Sequence, residues 1–178
     1  MEHFYQNIQN WFDYQDVFKL AIKKANDNAH FVEIGVWKGG STAFMGVELI
    51  NSNKKIQFDA IDTFEGSVEH GDVKNWLFEE ATENLKPVKD VVNIIKGHSL
   101  DVVNNYEDDS LDFIFIDGSH EYEDVIKDLI AWYPKVKSGG MFCGHDYDIA
   151  WPGVKQAVDE FLKGDFTVVR STFIHYKK

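Results

Sequence analysis

Two short clusters, Asp117-Gly118-Ser119-His120 and His145-Asp146, hold acids and imidazoles, residue types able to accept, donate and stabilise protons and charge. If each cluster ends a strand of one sheet, the acids Asp117 and Asp146 face one crevice together with two imidazoles. An imidazole at neutral pH can take a proton from a hydroxyl. Upstream lies Glu33-Ile34-Gly35-Val36-Trp37-Lys38-Gly39-Gly40-Ser41, a glycine-rich turn preceded by an acid. Glycines there let the backbone turn sharply and approach a ligand beside a helix N-terminus. Asp62-Thr63 offers a carboxylate that can accept both hydroxyls of a ribose and would repel a 2′-phosphate, and Gly97-His98-Ser99 is small and polar enough to line an adenine slot.

Each of these stretches follows a short run rich in β-branched and aromatic residues. The runs are His30–Gly35, Gln57–Asp62, Val91–Lys96, Leu111–Asp117 and Gly140–Asp146. Between them lie helical patterns at Ser41–Ile50, Tyr122–Tyr133 and Val154–Leu162, the second with Val125, Ile126, Leu129, Ile130 and Tyr133 on one face. Strands alternating with helices predict an α/β fold with a parallel sheet covered on both faces. In such sheets ligands bind outside the carboxyl ends of the strands, where these polar residues stand. Phe166–Arg170 and Phe173–Tyr176 are separated only by Ser171-Thr172, which predicts a hairpin and a final antiparallel strand at or near one edge. Residues 1–28 read as a helical, aromatic N-terminal segment. The connection 64–90, with a helix over 73–85, reads as a candidate lid over the substrate. The whole of 1–178 reads as one domain.

Composition narrows the function. The 178 residues carry 18 Lys+Arg against 30 Asp+Glu, a net charge of -12, which argues against a nucleic-acid partner. The one cysteine, Cys143, excludes a disulfide framework and a thiolate zinc cluster. No leader and no apolar run of about 20 residues is evident, so the expectation is a cytoplasmic protein acting on a small molecule. Taken singly, each has a plain structural reading open beside the functional one: the Gly-rich loop as a tight turn, Asp62 as a helix cap or surface turn, Asp117 as a helix cap and His145 as a buried core histidine. Their placement at successive strand ends, in the order a nucleoside cofactor needs, is harder to explain as structure alone. A dinucleotide fold would show G-x-G-x-x-G, but here the pattern is E-x-G-x-x-x-G-G, and no P-loop G-K-[ST] is present.

The segments FVEIGVWKGGS, FDAIDTFEGS, IIKGHS, LDFIFIDGSHEYEDVIKDLIAWYPKVKSGGMFCGHDY and WPGVKQAVDEF, across most of Phe31–Phe161, resemble class I S-adenosylmethionine-dependent methyltransferases. More narrowly, they resemble the family that includes the macrocin and rhamnosyl O-methyltransferases. The resemblance implies a Rossmann-like, doubly wound, seven-stranded sheet, mostly parallel, with an antiparallel strand in the C-terminal hairpin. It implies that Glu33, Gly35, Trp37, Gly39, Ser41, Asp62, Thr63, His98, Ser99 and Asp117 form the cofactor site. Within it, Glu33 and Gly35 would support the methionine moiety, Asp62 the ribose hydroxyls, and His98 and Ser99 the adenine. It further implies that Asp117, His145 and Asp146 hold a divalent cation, with His145 departing from the commoner second carboxylate. His120 stands where sugar-modifying relatives place their general base, and near a helix N-terminus an imidazolium is disfavoured, so a neutral His120 is expected. The expected reaction is metal-assisted O-methylation of a sugar or other small-molecule hydroxyl, with His120 and Asp117 as the catalytic residues. Two other classes stay open at this point: an inactive adenosyl-cofactor-binding interaction module and a nicotinamide-dependent oxidoreductase. A homo-oligomer completing the acceptor pocket is also left open.

Overall fold

The computed structural model describes residues 1–66 and 73–178. Strand residues point alternately to the two faces of a sheet, and this chain sorts its side chains accordingly. In β4 (Leu111–Ile116), Phe113 and Phe115 enter one core while Ile114 and Ile116 enter the other. β1 (His30–Ile34) does the same with Phe31 on one side and Val32 and Ile34 on the other. Burial on both faces is what near-continuous apolar runs require, and each fully buried side chain of this size contributes about 1.5–3 kcal/mol.

The sheet has seven strands in the order β3-β2-β1-β4-β5-β7-β6. With β2 (Gln57–Asp62), β3 (Asn93–Lys96) and β5 (Val136–Gly144), the first five strands pair in parallel. β7 (Thr172–Tyr176) runs antiparallel between β5 and β6 (Thr167–Val169), as the short hairpin connection demands. One face is covered by α1 (Gln15–Lys24), α2 (Gly40–Ser52) and α3 (Leu77–Leu85), the other by α4 (Ser99–Val102), α5 (Tyr122–Trp132) and α6 (Pro152–Leu162). The α/β, doubly wound, Rossmann-like expectation is met. No helix among the described residues is long and apolar enough to cross a membrane.

Three local expectations need correction. The N-terminal segment is helical only at Gln15–Lys24 and a single 3-10 turn, Tyr5–Asn7. Between them the Asn10 side chain replaces helical bonding, donating to the Ile8 and Tyr5 carbonyls (2.5 and 3.0 Å) and accepting from Phe12 N–H (3.1 Å). The fifth strand begins at Val136 and runs through Ser138-Gly139-Gly140, shifting register against β4 where a break was expected, and it stops before His145. The helix expected over 73–85 starts only at Leu77. Of the expected lid, residues 67–72 lie outside the described residues, while α3 buries Leu77, Ala81 and Leu85 in the core.

Candidate active site

The carboxyl ends of β1 to β5 surround a cavity of about 850 Å³. That is toward the upper end of the roughly 300–1,000 Å³ usual for small-molecule sites. Its floor is set by how closely β1 and β4 approach. Gly35 follows β1 at φ +93°, and a Cβ there would lie 1.9 Å from the Asp117 carbonyl oxygen, so only glycine fits.

Glu33, in β1, is fully buried behind this floor. It accepts the hydroxyls of Ser41 (2.5 Å) and Thr42 (2.6 Å), and so ties the strand to the first turn of α2. Burial pushes its carboxyl up to about 8; the two hydroxyls oppose the shift, and Asp117 and Asp62 add to it. At the end of β2, Asp62 Oδ2 accepts the backbone N–H groups of Val36 (2.7 Å) and Trp37 (2.9 Å), while Oδ1 accepts from Phe64 (2.7 Å). Trp37 and Phe64 both sit at positive φ, +52° and +55°, which costs bulky residues about 1–3 kcal/mol each unless the surroundings hold them. Asp62 is the clamp that holds both loops.

After β3, His98 Nδ1 caps α4 by accepting from Leu100 N–H (3.3 Å), and Ser99 Oγ donates to Asp128 Oδ1 (2.5 Å) in α5. Past β4, Asp117 Oδ2 accepts the Tyr14 hydroxyl at 2.7 Å. Past β5, Asp146 adopts a left-handed backbone (φ +59°) that turns its carboxylate between two imidazoles. Its Oδ2 meets His120 Nε2 at 2.9 Å and its Oδ1 meets His145 Nδ1 at 3.2 Å. Burial works against ionisation of Asp146, but the bonds from His120 and His145 outweigh it and hold the carboxyl well below the usual range. Burial likewise disfavours charge on His145, yet Asp146, Asp117 and Asp13 carry its pKa up to about 9. The Asp13 contact is at Nε2 (3.0 Å), and Arg170 holds the Asp13 carbonyl in place. His120 is stacked on Trp151 with centroids 3.7 Å apart and planes at 28°.

The donor set meets the first requirement of a cation site. One ligand atom each from Asp117, His145 and Asp146 can be chosen so that all lie within 4.8 Å of one another, as ligands of one ion must. The described residues lining the main cavity include Asp62, Asp117, Glu121, Asp124, Asp128 and Asp146, and no Lys or Arg. Such a wall suits a sulfonium and an ammonium and opposes a pyrophosphate.

The sequence profile of a methyltransferase-domain family matches residues 32–147, the span that builds β1 to β5 and every strand-end cluster above. The chain belongs to that family. The resemblance to class I S-adenosylmethionine-dependent methyltransferases is borne out. An uncharacterised protein of Acanthamoeba polyphaga mimivirus, R132, is 29% identical over 176 residues; the match covers 90% of this chain and 66% of R132, so the chain spans about two-thirds of that relative. Among solved structures, the O-methyltransferase NovP superposes with a TM-score of 0.69 at 22% identity, covering 92% of this chain and 79% of its own. CalS11, a TDP-rhamnose 3′-O-methyltransferase of calicheamicin biosynthesis, gives 0.65 at 16% identity, covering 91% and 76%. SMU.1697c of Streptococcus mutans, solved with SAH, gives 0.63 at 13%, covering 93% and 97%. At these identities the structural likeness is one of fold.

In this member of the family Gly35, Trp37, Ser41, Asp62, Thr63, His98, Ser99, Asp117, His120 and Asp146 line one cavity. Glu33 and Gly39 are not among the residues lining it; Glu33 ties β1 to the first turn of α2, and Gly39, at φ +89°, immediately precedes that helix. His145 faces a small recess beside the main cavity, shared with Asp117, His120 and Asp146. Sequence reasoning missed Tyr14, Asp13, Trp151 and Asp128. Only Asp128 left a readable signal, being an acid between Val125, Leu129 and Trp132 on the buried face of α5.

Proposed function

We propose that this methyltransferase carries a methyl group from S-adenosylmethionine to a hydroxyl of a small molecule, a sugar being the favoured acceptor, in the cytoplasm. S-Adenosylmethionine, when bound, supplies a methyl group already activated by its sulfonium. The chain's part is to bind, align and remove a proton. Gly35 and the start of α2, fixed by Glu33, border the methionine end, Asp62 and Thr63 the ribose, and His98 and Ser99 the base.

The observation that carries the reading is the His120–Asp146 pair in the wall beside Asp117. With Nε2–H donating to Asp146, a neutral His120 carries its basic lone pair on Nδ1. The acceptor hydroxyl loses its proton to that nitrogen as the new O–CH₃ bond forms and the S–CH₃ bond breaks. The resulting imidazolium is stabilised by the Asp146 carboxylate. Asp117, His145 and Asp146 would hold a divalent cation, which would have to displace the His145 proton on binding, and its Lewis acidity would make the hydroxyl easier to deprotonate. The sugar preference draws support from NovP, an O-methyltransferase, and from CalS11, named for TDP-rhamnose.

The test is a methyl-transfer assay on a panel of glycosides, with and without Mg²⁺, comparing wild type with His120→Ala. The variant should lose about 10²–10⁴-fold in turnover and keep its affinity for S-adenosylhomocysteine. Equal loss of both removes the base assignment.

A further inference from the structure

A histidine can ligate an ion only through a nitrogen that offers its lone pair, and the other nitrogen then needs an acceptor for its N–H. The two ring nitrogens of His145 face different ways. Nδ1 looks into the carboxylate cluster, 3.2 Å from Asp146 Oδ1 and 3.9 Å from Asp117 Oδ1. Nε2 meets Asp13 Oδ1 at 3.0 Å, across 132 positions of sequence. A carboxylate accepts hydrogen bonds and donates none, so Nε2 is the nitrogen that keeps its proton and Nδ1 is the one left for a cation.

The backbone at Asp13 is fixed from both sides. Arg170, in the turn between β6 and β7, donates to its carbonyl oxygen, and the next residue, Tyr14, is anchored on Asp117 and stacked on Phe115. Before it, Phe12 is buried against the rings of Tyr5, Phe18 and Phe44. These contacts already fasten the segment to the sheet, so the Asp13 side chain is not needed as a latch. That side chain is 49% exposed, and truncating it opens no cavity in the core.

Resting on the cation part of the function proposed above, we propose that Asp13 is a positioning residue for that cation: it holds Nε2–H, fixes the ring of His145 and makes Nδ1 the third donor beside Asp117 and Asp146. His145 releases its Nδ1 proton to water when the cation binds and keeps the other proton on Asp13. A neutral imidazole brings less charge to a divalent cation than a carboxylate does, and an acid behind its far nitrogen makes it a stronger donor. Asp13 touches neither the acceptor nor the cation and takes no part in methyl transfer.

The experiment is titration of Mn²⁺ into wild type, Asp13→Asn and Asp13→Ala, read by the electron paramagnetic resonance of free and bound ion, with ¹⁴N modulation of the bound signal reporting an imidazole ligand. Calorimetric binding of S-adenosylhomocysteine and a thermal melt of each protein accompany it, and no turnover is needed. Wild type should bind Mn²⁺ with ¹⁴N modulation. Asp13→Ala should weaken Mn²⁺ binding about 10–100-fold, the usual cost of losing such a partner, and diminish the modulation while keeping S-adenosylhomocysteine affinity. Asp13→Asn, whose amide oxygen can still accept Nε2–H, should lose less. Undiminished Mn²⁺ affinity in Asp13→Ala, equal losses in the two variants, or a matching loss of S-adenosylhomocysteine affinity overturns the assignment. So does Mn²⁺ bound to wild type without ¹⁴N modulation. A wild type that binds S-adenosylhomocysteine but no Mn²⁺ removes the cation from the proposed function, and the role of Asp13 with it.

Discussion

The Tyr14 hydroxyl donates to Asp117 Oδ2 at 2.7 Å, joining residues 103 positions apart in the chain. Tyr14 is buried and stacked on Phe115 of β4, with ring centroids 4.3 Å apart, so its hydroxyl is aimed by packing. Asp13, its neighbour, reaches His145. The irregular stretch before α1 therefore sets the orientation of two of the three proposed cation ligands.

Tyr14→Phe keeps the ring and removes the donor. Burial raises the Asp117 carboxyl, partly offset by His145 and by Tyr14 itself, so losing the hydroxyl leaves this acid worse solvated. The expected cost is about 1.5–3 kcal/mol in urea unfolding, the usual worth of a hydrogen bond to a charged group. A midpoint equal to wild type would show that the bond positions nothing.

Gly35→Ala is expected to be far more damaging. The added methyl would sit 1.9 Å from the Asp117 carbonyl, in a backbone conformation at φ +93°. Forced separation of β1 from β4 should cost about 3 kcal/mol or more, or prevent soluble folding. A variant that melts and binds S-adenosylhomocysteine like wild type would contradict the close approach.

Stability should fall as pH rises from mildly acidic to alkaline. Glu33, raised from 4.5 to about 8, keeps a proton in the folded state that the unfolded chain has already released in that window. Stability therefore decreases with pH there. His145, raised from 6.5 to about 9, acts in the same direction at higher pH, its contribution complete below the unfolded value and lost through the folded one. Glu33→Gln deletes the first contribution, so its melting midpoint should decline less than that of wild type between about pH 5 and 8. Parallel curves for the two proteins would remove Glu33 from the account.

Much of this architecture is legible in the chain because strand ends announce themselves. FIFI and VEI are apolar runs that stop at a polar residue or a glycine, and the parallel sheet then gathers those stops at one edge. Glu33 was visible as an acid inside a strand, but its hydroxyl partners appear only once α2 folds back over β1. Tyr14 and Asp13 were illegible because nothing local ties them to β4 and β5, and Asn10 makes the chain leave the helix that the aromatic spacing suggested. Trp151 stacks on His120 only because α6 starts beside the loop after β4, where a Cβ on Gly153 would lie 2.5 Å from the His120 carbonyl.

Metal removal tests the cation site separately. Replacing Asp146 with Asn leaves a group that can still accept from one imidazole but no longer carries charge. Turnover with Mg²⁺ should fall by about 10²-fold or more, and EDTA should then have little further effect. An Asp146→Asn enzyme that remains fully stimulated by Mg²⁺ would place the cation elsewhere.

The most direct measurement of the central claim is a thermal melt of the protein with S-adenosylhomocysteine or with NAD. A ligand at 100 times its dissociation constant adds about 2.7 kcal/mol, a shift of roughly 5–10 °C for a chain of this size. The account predicts that shift with S-adenosylhomocysteine and none with NAD. No shift with millimolar S-adenosylhomocysteine, or an equal one with NAD, would contradict it.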